Sequence, residues 1–113
     1  MPLPEPLPDE LVELIAERFR VLGEPARIKL LNRLRRGEAT VQELTAASRS
    51  TQQNVSKHLA VLHRAGIVGR RKAGNFVYYS IADEGVFALC EDVCGSVQQQ
   101  VDSLRRIVDS AAS

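Results

Sequence analysis

Residues 40–66, TVQELTAASRSTQQNVSKHLAVLHRAG, decide the fold, because they contain two helix starts separated by one short turn. Thr40 is followed three residues later by Glu43, which is the spacing of a capping box at a helix N-terminus. This pair predicts a short helix over 41–48. The dipeptide Arg49-Ser50 then makes a tight turn, so a second helix follows at once.

The second helix is predicted over about 51–65, with Ser50 or Thr51 as its cap and Gly66 as its stop. Apolar residues at helical spacing form its inward stripe: Val55, Leu59 and Leu62. The opposite side of the helical wheel carries Gln53, Ser56, Lys57, Ala60 and Arg64. Amide, hydroxyl and basic groups on this outward face indicate contact with a polar partner.

Two more helices are predicted before this pair. We expect Asp9 to cap a helix that ends near Leu22. Pro25 opens the next helix at its first position, where the missing N–H of proline costs nothing. Residues 1–8 alternate proline with other residues and predict a flexible extended arm, so the folded part is predicted as a single domain over 9–113.

After Gly66 the pattern changes from helical to extended. Residues 67–72 and 76–81 are predicted as two strands, joined through 73–75 as a hairpin with a central glycine. From about Asp83 a long helix runs toward the C-terminus. The predicted fold is mainly α (α+β), a winged helix-turn-helix of about five helices with a two-stranded hairpin as its wing.

The charge of the chain is distributed unevenly. The 15 basic and 14 acidic side chains leave a net charge of only +1. Residues 25–80, however, carry eleven basic and two acidic side chains, whereas 1–24 and 81–113 each carry a net charge of −4. A strongly basic centre between acidic ends is typical of a phosphate-binding module. A merely solvated basic surface is the alternative.

Several functional classes find no support in the sequence. No apolar run approaches the roughly 18 residues of a membrane span, and the N-terminus lacks a secretory pattern. Cys90 and Cys94 are too few for a disulfide scaffold, which predicts a cytoplasmic protein without a membrane partner. No Gly-rich phosphate loop, HExxH or recognisable catalytic set is present, so we expect no enzyme.

Two helices joined by a tight turn and followed by a basic hairpin predict DNA binding through the second, recognition helix. Amides and hydroxyls near the start of that helix read base edges, whereas basic side chains reach phosphates. The predicted contacts are Ser50, Gln52, Gln53, Ser56, Lys57, His58, Arg64, Arg70, Arg71 and Lys72. Two alternatives stay open: His58 either packs or contacts DNA, and the 70–72 run either contacts DNA or protects an edge strand.

Three ordered runs of the chain resemble the ArsR/SmtB family of bacterial repressors: FRVLGEPARIKLL at 19–31, VSKHLAVLHRAGIV at 55–68 and VYYS at 77–80. The resemblance implies a homodimer that binds a double-stranded operator near its own promoter and releases it when an inducer arrives. The inducer in this family is often a metal or metalloid ion, and sometimes a reactive sulfur species or an oxidant. The resemblance also makes the terminal helices, about 9–22 and 84–109, the dimer contacts.

Neither common inducer site of that family is present. Many members carry cysteines in the short helix before the recognition helix, where this chain has EATVQEL at 38–44. Other members use Asp and His on the last helix, but the two histidines here, His58 and His63, lie in the predicted recognition helix. A sensing role therefore has to rest on the two cysteines.

Cys90 and Cys94 begin a stripe with heptad spacing that continues through Val97, Val101, Leu104 and Val108. The thiols either fill apolar positions of this stripe or, four residues apart on one face, bind a thiophilic metal or metalloid ion or sense an oxidant. A two-fold axis could bring four thiols together. Two other functions stay open: a regulator with purely structural cysteines and no metal inducer, and a dimeric interaction module that has lost DNA binding.

Overall fold

The computed structural model describes residues 1–112, and Ser113, the last residue of the predicted domain, lies outside the described residues. The helices are α1 (Asp9–Leu22), α2 (Pro25–Leu34), α3 (Val41–Ser48), α4 (Gln52–Arg64) and α5 (Glu84–Ala112). The strands are β1 (Ala39–Thr40), β2 (Val68–Ala73) and β3 (Phe76–Ile81). The five predicted helices and the predicted hairpin are confirmed. The chain divides into two compact units, one ending at Ala82 and the other, containing α5, beginning at Asp83.

The first two helices differ in how well their starts were predicted. The expectation that Asp9 caps α1 is wrong, because Pro8 is the N-cap residue and no side chain makes a capping hydrogen bond. Asp9 lies instead in the first turn beside Glu10, where a negative charge is favoured by the positive end of the helix dipole. Pro25 occupies the first position of α2, as predicted.

The start of α3 is the predicted capping box. The Glu43 N–H donates to Thr40 Oγ1 over 3.2 Å, and the Thr40 N–H donates to Glu43 Oε1 over 3.1 Å. Thr40 is buried, with only 5% of its surface exposed. The box therefore satisfies two backbone N–H groups at a helix end that water barely reaches.

The sheet contains a third strand that the sequence did not indicate. Strand β1 pairs antiparallel with β3, which pairs antiparallel with β2, in the order β1-β3-β2. The predicted three-residue connection of the hairpin is wrong, because Ala73 pairs with Phe76 and leaves a two-residue turn. Gly74 begins that turn with φ 60°, a conformation that glycine adopts without the cost of a side chain.

The core of the first unit lies where α2, α3 and α4 meet the sheet. The predicted inward stripe of α4 is confirmed, since Val55, Leu59 and Leu62 are at most 2% exposed. The largest fully buried side chains are Leu44, Leu59, Leu62, Ile67, Val55 and Val68. Three apolar side chains of α1, by contrast, stay on the surface: Val12, Leu14 and Phe19.

The second unit is dominated by α5, whose 29 residues give a length of about 43 Å. Its large apolar side chains beyond Cys90 are between 43% and 65% exposed: Val93, Val97, Val101, Leu104, Ile107 and Val108. Among the helices of residues 1–112, none combines the length and the apolar character that crossing a membrane requires.

Replacing Thr40 with alanine should lower the free energy of unfolding by about 1 kcal/mol, because the Glu43 N–H then loses its acceptor at a buried helix end. Urea unfolding followed by circular dichroism measures this change. Thr40→Ser keeps the hydroxyl and is the control. Equal losses in the two variants would show that the methyl group of Thr40, rather than the cap, provides the stability.

Candidate nucleic-acid interface

The turn between α3 and α4 brings two short helices together at a fixed angle. Arg49 follows α3 with φ 56° and ψ 27°, a left-handed conformation that ends the helix in a single residue. Ser50 and Thr51 complete the connection, and α4 begins at Gln52. The predicted tight turn is confirmed.

Two hydroxyl groups hold the start of α4. Thr51 is the N-cap residue, and its Oγ1 accepts a hydrogen bond from the Asn54 N–H over 3.1 Å. Ser50 Oγ accepts from the Asn54 side-chain amide over 3.2 Å. Ser50, predicted as a DNA contact, is thus half-buried and engaged within the chain, while Asn54 is an exposed amide that the sequence reasoning passed over. Its place on the first turn, next to Gln53, was the available signal.

The outward face of α4 is polar along its whole length. The predicted contacts on it are all exposed: Gln52, Gln53, Ser56, Lys57 and Arg64. The structure therefore brings these five residues to one side of a helix whose other side is buried. Amides at the front of such a helix can form paired hydrogen bonds with an adenine edge, while lysine and arginine further along meet phosphates.

His58 lies beside the buried stripe of α4 and is half-buried. Its Nδ1 accepts a hydrogen bond from Arg27 Nε over 3.2 Å, and Arg27 also donates to the Val21 carbonyl oxygen over 3.1 Å. Arg27 thereby connects the end of α1 and the start of α2 to α4. Of the two alternatives for His58, this geometry favours the packed one.

The same part of the first unit contains a cavity of about 300 Å³. It lies between the start of α2, the end of α3 and the first turns of α4, and His58 lines it. Basic, hydroxyl and acidic side chains share its wall with apolar ones: Lys29, Ser48, Ser50, Glu24, Leu30 and Val55. The wall therefore presents no single chemistry to a ligand.

The three basic residues of β2 have different surroundings. Arg70 and Lys72 are exposed. Arg71 points to the other face of the strand, where its Nε donates to Glu38 Oε2 over 2.9 Å and its Nη2 donates to Glu38 Oε1. Its guanidinium carbon lies 4.7 Å from the centre of the Tyr78 ring. The predicted basic run is therefore divided between two faces of the hairpin.

The ion pair on this hairpin changes the titration of both partners. The hydrogen bond from Arg71 lowers the pKa of Glu38, and the hydrogen bond to Glu38 raises the pKa of Arg71. Both groups therefore stay charged over a wider pH range than usual. Glu38 and Tyr78 were not predicted as members of the site, because Glu38 lies 33 positions from Arg71 and no short motif connects them.

The two cysteines lie one turn apart on α5, and both are free thiols. Cys90 is half-buried and Cys94 is exposed. Within residues 1–112, no group of three or more His, Cys, Asp or Glu side chains is placed to hold a metal ion. A single chain therefore supplies two thiols and no assembled metal site.

A buried-and-exposed recognition helix after a tight turn, next to an antiparallel hairpin with basic side chains, defines a winged helix-turn-helix protein. The profile described as "Bacterial regulatory protein, arsR family" matches residues 24–69. A relative from Synechocystis, named transcriptional repressor SmtB homolog, is 34% identical over 96 residues, which are 85% of this chain and 73% of the relative. The chain belongs to the ArsR family of bacterial regulatory proteins.

Solved structures agree with this assignment. The crystal structure of Rv0081 from Mycobacterium tuberculosis has a TM-score of 0.73 and 35% identity, covering 82% of this chain and 97% of that one. The solution structure of the homodimeric winged helix-turn-helix DNA-binding domain of Mb0332 from Mycobacterium bovis has a TM-score of 0.69 and 29% identity, covering 76% and 82%. The family resemblance of the three sequence runs is confirmed, as is the expectation of a regulator rather than an enzyme.

A double-mutant cycle on Arg27 and His58 tests the link between α2 and α4. Arg27→Ala and His58→Ala should each lower the free energy of unfolding, and the double variant should lose about 1 kcal/mol less than the two losses added together. The reason is that the hydrogen bond between Arg27 Nε and His58 Nδ1 can be lost only once. Urea unfolding provides the measurement. Strictly additive losses would mean that the hydrogen bond contributes nothing to stability.

Proposed function

We propose that this protein is a homodimeric, sequence-specific transcriptional repressor that binds double-stranded operator DNA. The observation that carries the proposal is the exposed polar face of α4, which begins with Gln52 and Gln53 and lies opposite a stripe that is at most 2% exposed. A helix of this kind fits the major groove, where amide side chains distinguish bases. The repressor named among the relatives supports the same function.

Electrostatics support DNA as the partner. The net charge of +9 on residues 25–80 attracts the phosphate backbone, and it includes Lys57 and Arg64 on α4 and Arg70 and Lys72 on β2. The interaction module that has lost DNA binding would have no use for this combination of groups. Since DNA is the proposed partner, the proposed location is the cytoplasm.

Exposed apolar side chains support a second copy of the chain as the other partner. The stripe on α5 and three apolar side chains on α1 are open to solvent in the single chain. Heptad spacing on α5 is the pattern of a helix that packs against another helix. The segments that contain α1 and α5 are acidic, which keeps the proposed dimer contacts off the DNA. The homodimeric Mb0332 domain supports this proposal.

Fluorescence anisotropy with labelled DNA from the region upstream of its own gene tests the proposal. Affinity should fall steeply with salt, and a protected site should show two half-sites one or two helical turns apart. The comparison is a shuffled duplex of the same composition. Equal affinity for the two duplexes at moderate salt would contradict sequence-specific binding, and a single unpaired half-site would contradict the dimer.

Two substitutions on α4 separate phosphate contact from base reading. Lys57→Ala should weaken binding to both duplexes equally and reduce the slope of log affinity against log salt by about 1, the release of one phosphate-bound counterion. Gln53→Ala should instead reduce the preference for the upstream duplex. Arg20→Ala removes an exposed charge that is paired with Glu17 on α1 and is the matched control.

For regulation, we propose that Cys90 and Cys94 bind a thiophilic metal or metalloid ion that releases the repressor from DNA. The thiols lie one helical turn apart on the same face, and Cys94 is exposed. Soft thiolate ligands select such ions. Because one chain supplies only two thiols, further ligands must come from the second copy or from water.

The double substitution Cys90→Ser/Cys94→Ser tests this regulation by anisotropy. Release of operator DNA by zinc, cadmium, arsenite or copper(I) should be lost in the variant, while its DNA affinity without ions should equal that of the natural protein. Peroxide and persulfide extend the series to oxidants and reactive sulfur. Release that persists in the variant would assign the cysteines to packing alone.

A further inference from the structure

We propose that Glu38, Tyr78 and Arg71 form a clamp that sets the direction of the β2–β3 hairpin, and that Arg71 positions the hairpin without contacting phosphate. The inference rests on the proposed DNA binding only for its effect on affinity. It differs from the expectation for Arg71 drawn from the sequence, in which all three basic residues of the run reach DNA.

The place of the clamp in the sheet is the first reason. Thr40 lies opposite Tyr78, and Tyr78 lies opposite Arg71, so these residues form one row across all three strands. Strand β1 ends at Thr40, and from 72 to 77 the hairpin continues toward its tip with two strands only. A two-stranded ribbon is marginally stable by itself. Its direction therefore depends on what holds it at the last three-stranded row.

The contacts of the Arg71 side chain are the second reason. Both edges of its guanidinium are directed at one carboxylate, with Nε donating to Glu38 Oε2 and Nη2 donating to Glu38 Oε1. The cation also lies over the Tyr78 ring of the central strand, 4.7 Å from its centre. Arg71 thus crosses β3 and connects β2 to the residue that precedes β1. A planar guanidinium suits this combination of paired hydrogen bonds and stacking, which lysine could not provide.

The charges around the hairpin are the third reason. Glu38 neutralises Arg71 and would repel an approaching phosphate, so this face of the hairpin offers DNA little attraction. Arg70 and Lys72 point to the opposite face and are exposed. Side chains of neighbouring strand residues alternate between faces, so fixing Arg71 on one face also fixes where Arg70 and Lys72 are presented.

The sign of the effect of Glu38→Ala provides the sharpest test. Simple electrostatics predicts tighter DNA binding when an acidic side chain near the interface is removed. The clamp predicts weaker binding, by up to about fivefold, the size expected for an exposed ion pair. Glu13→Ala removes an exposed acid from α1 and is the charge-matched control. Tighter binding by Glu38→Ala than by this control would overturn the proposal.

The salt dependence of binding separates a positioning residue from a phosphate contact. Arg71→Ala should weaken binding to a similar extent with an unchanged slope of log affinity against log salt. Arg70→Ala or Lys72→Ala should reduce that slope by about 0.9, the value for one lost phosphate contact. The charge swap Glu38→Arg/Arg71→Glu should recover at least half of the lost affinity on a logarithmic scale. A reduced slope in Arg71→Ala, or no recovery by the swap, would contradict the clamp.

Amide hydrogen exchange tests the clamp in the absence of DNA. Exchange at residues 72–77 should be faster in Arg71→Ala and in Glu38→Ala and unchanged in Arg70→Ala. Unchanged exchange in the first two variants would refute the clamp. A protein that binds no DNA would refute the proposed function instead, and the exchange rates would still decide the clamp.

Discussion

The burial of one side of α4 is the constraint on which the rest of the structure depends. Val55, Leu59 and Leu62 pack among α2, α3 and the sheet, which holds the helix against rotation about its own axis. The opposite side must then face outward, with its amides, hydroxyls and basic groups in fixed positions. The capping box on α3, the left-handed Arg49 and the Thr51 cap together determine where that helix begins.

Local signals in the sequence predict the parts of the fold that form over short distances. The capping box between Thr40 and Glu43, proline at the start of α2 and the inward stripe of α4 each depend on residues within two turns of one another. They predict the helices and the exposed face of α4. Strand β1 escapes prediction because two residues carry no periodicity, and Asp9 fails as a cap because Pro8 already occupies that position.

The candidate site is predicted less completely because part of it is assembled by pairing across the sheet. A run of three basic residues predicts a charged strand, but only the register places Arg71 beside Tyr78 and within reach of Glu38. In the same way, the hydrogen bond between Arg27 and His58 joins positions 31 residues apart. These contacts decide which of the predicted polar side chains are available to a partner.

Thr40 belongs to two elements at once, since it is the last residue of β1 and the N-cap of α3. Its backbone lies opposite Tyr78 in the sheet, while its hydroxyl and N–H complete the first turn of the helix. The hairpin and the two-helix segment consequently share a covalent junction with no slack between them. An event that displaces the hairpin must therefore also disturb the start of α3, so the two elements that would flank a DNA duplex move as a unit.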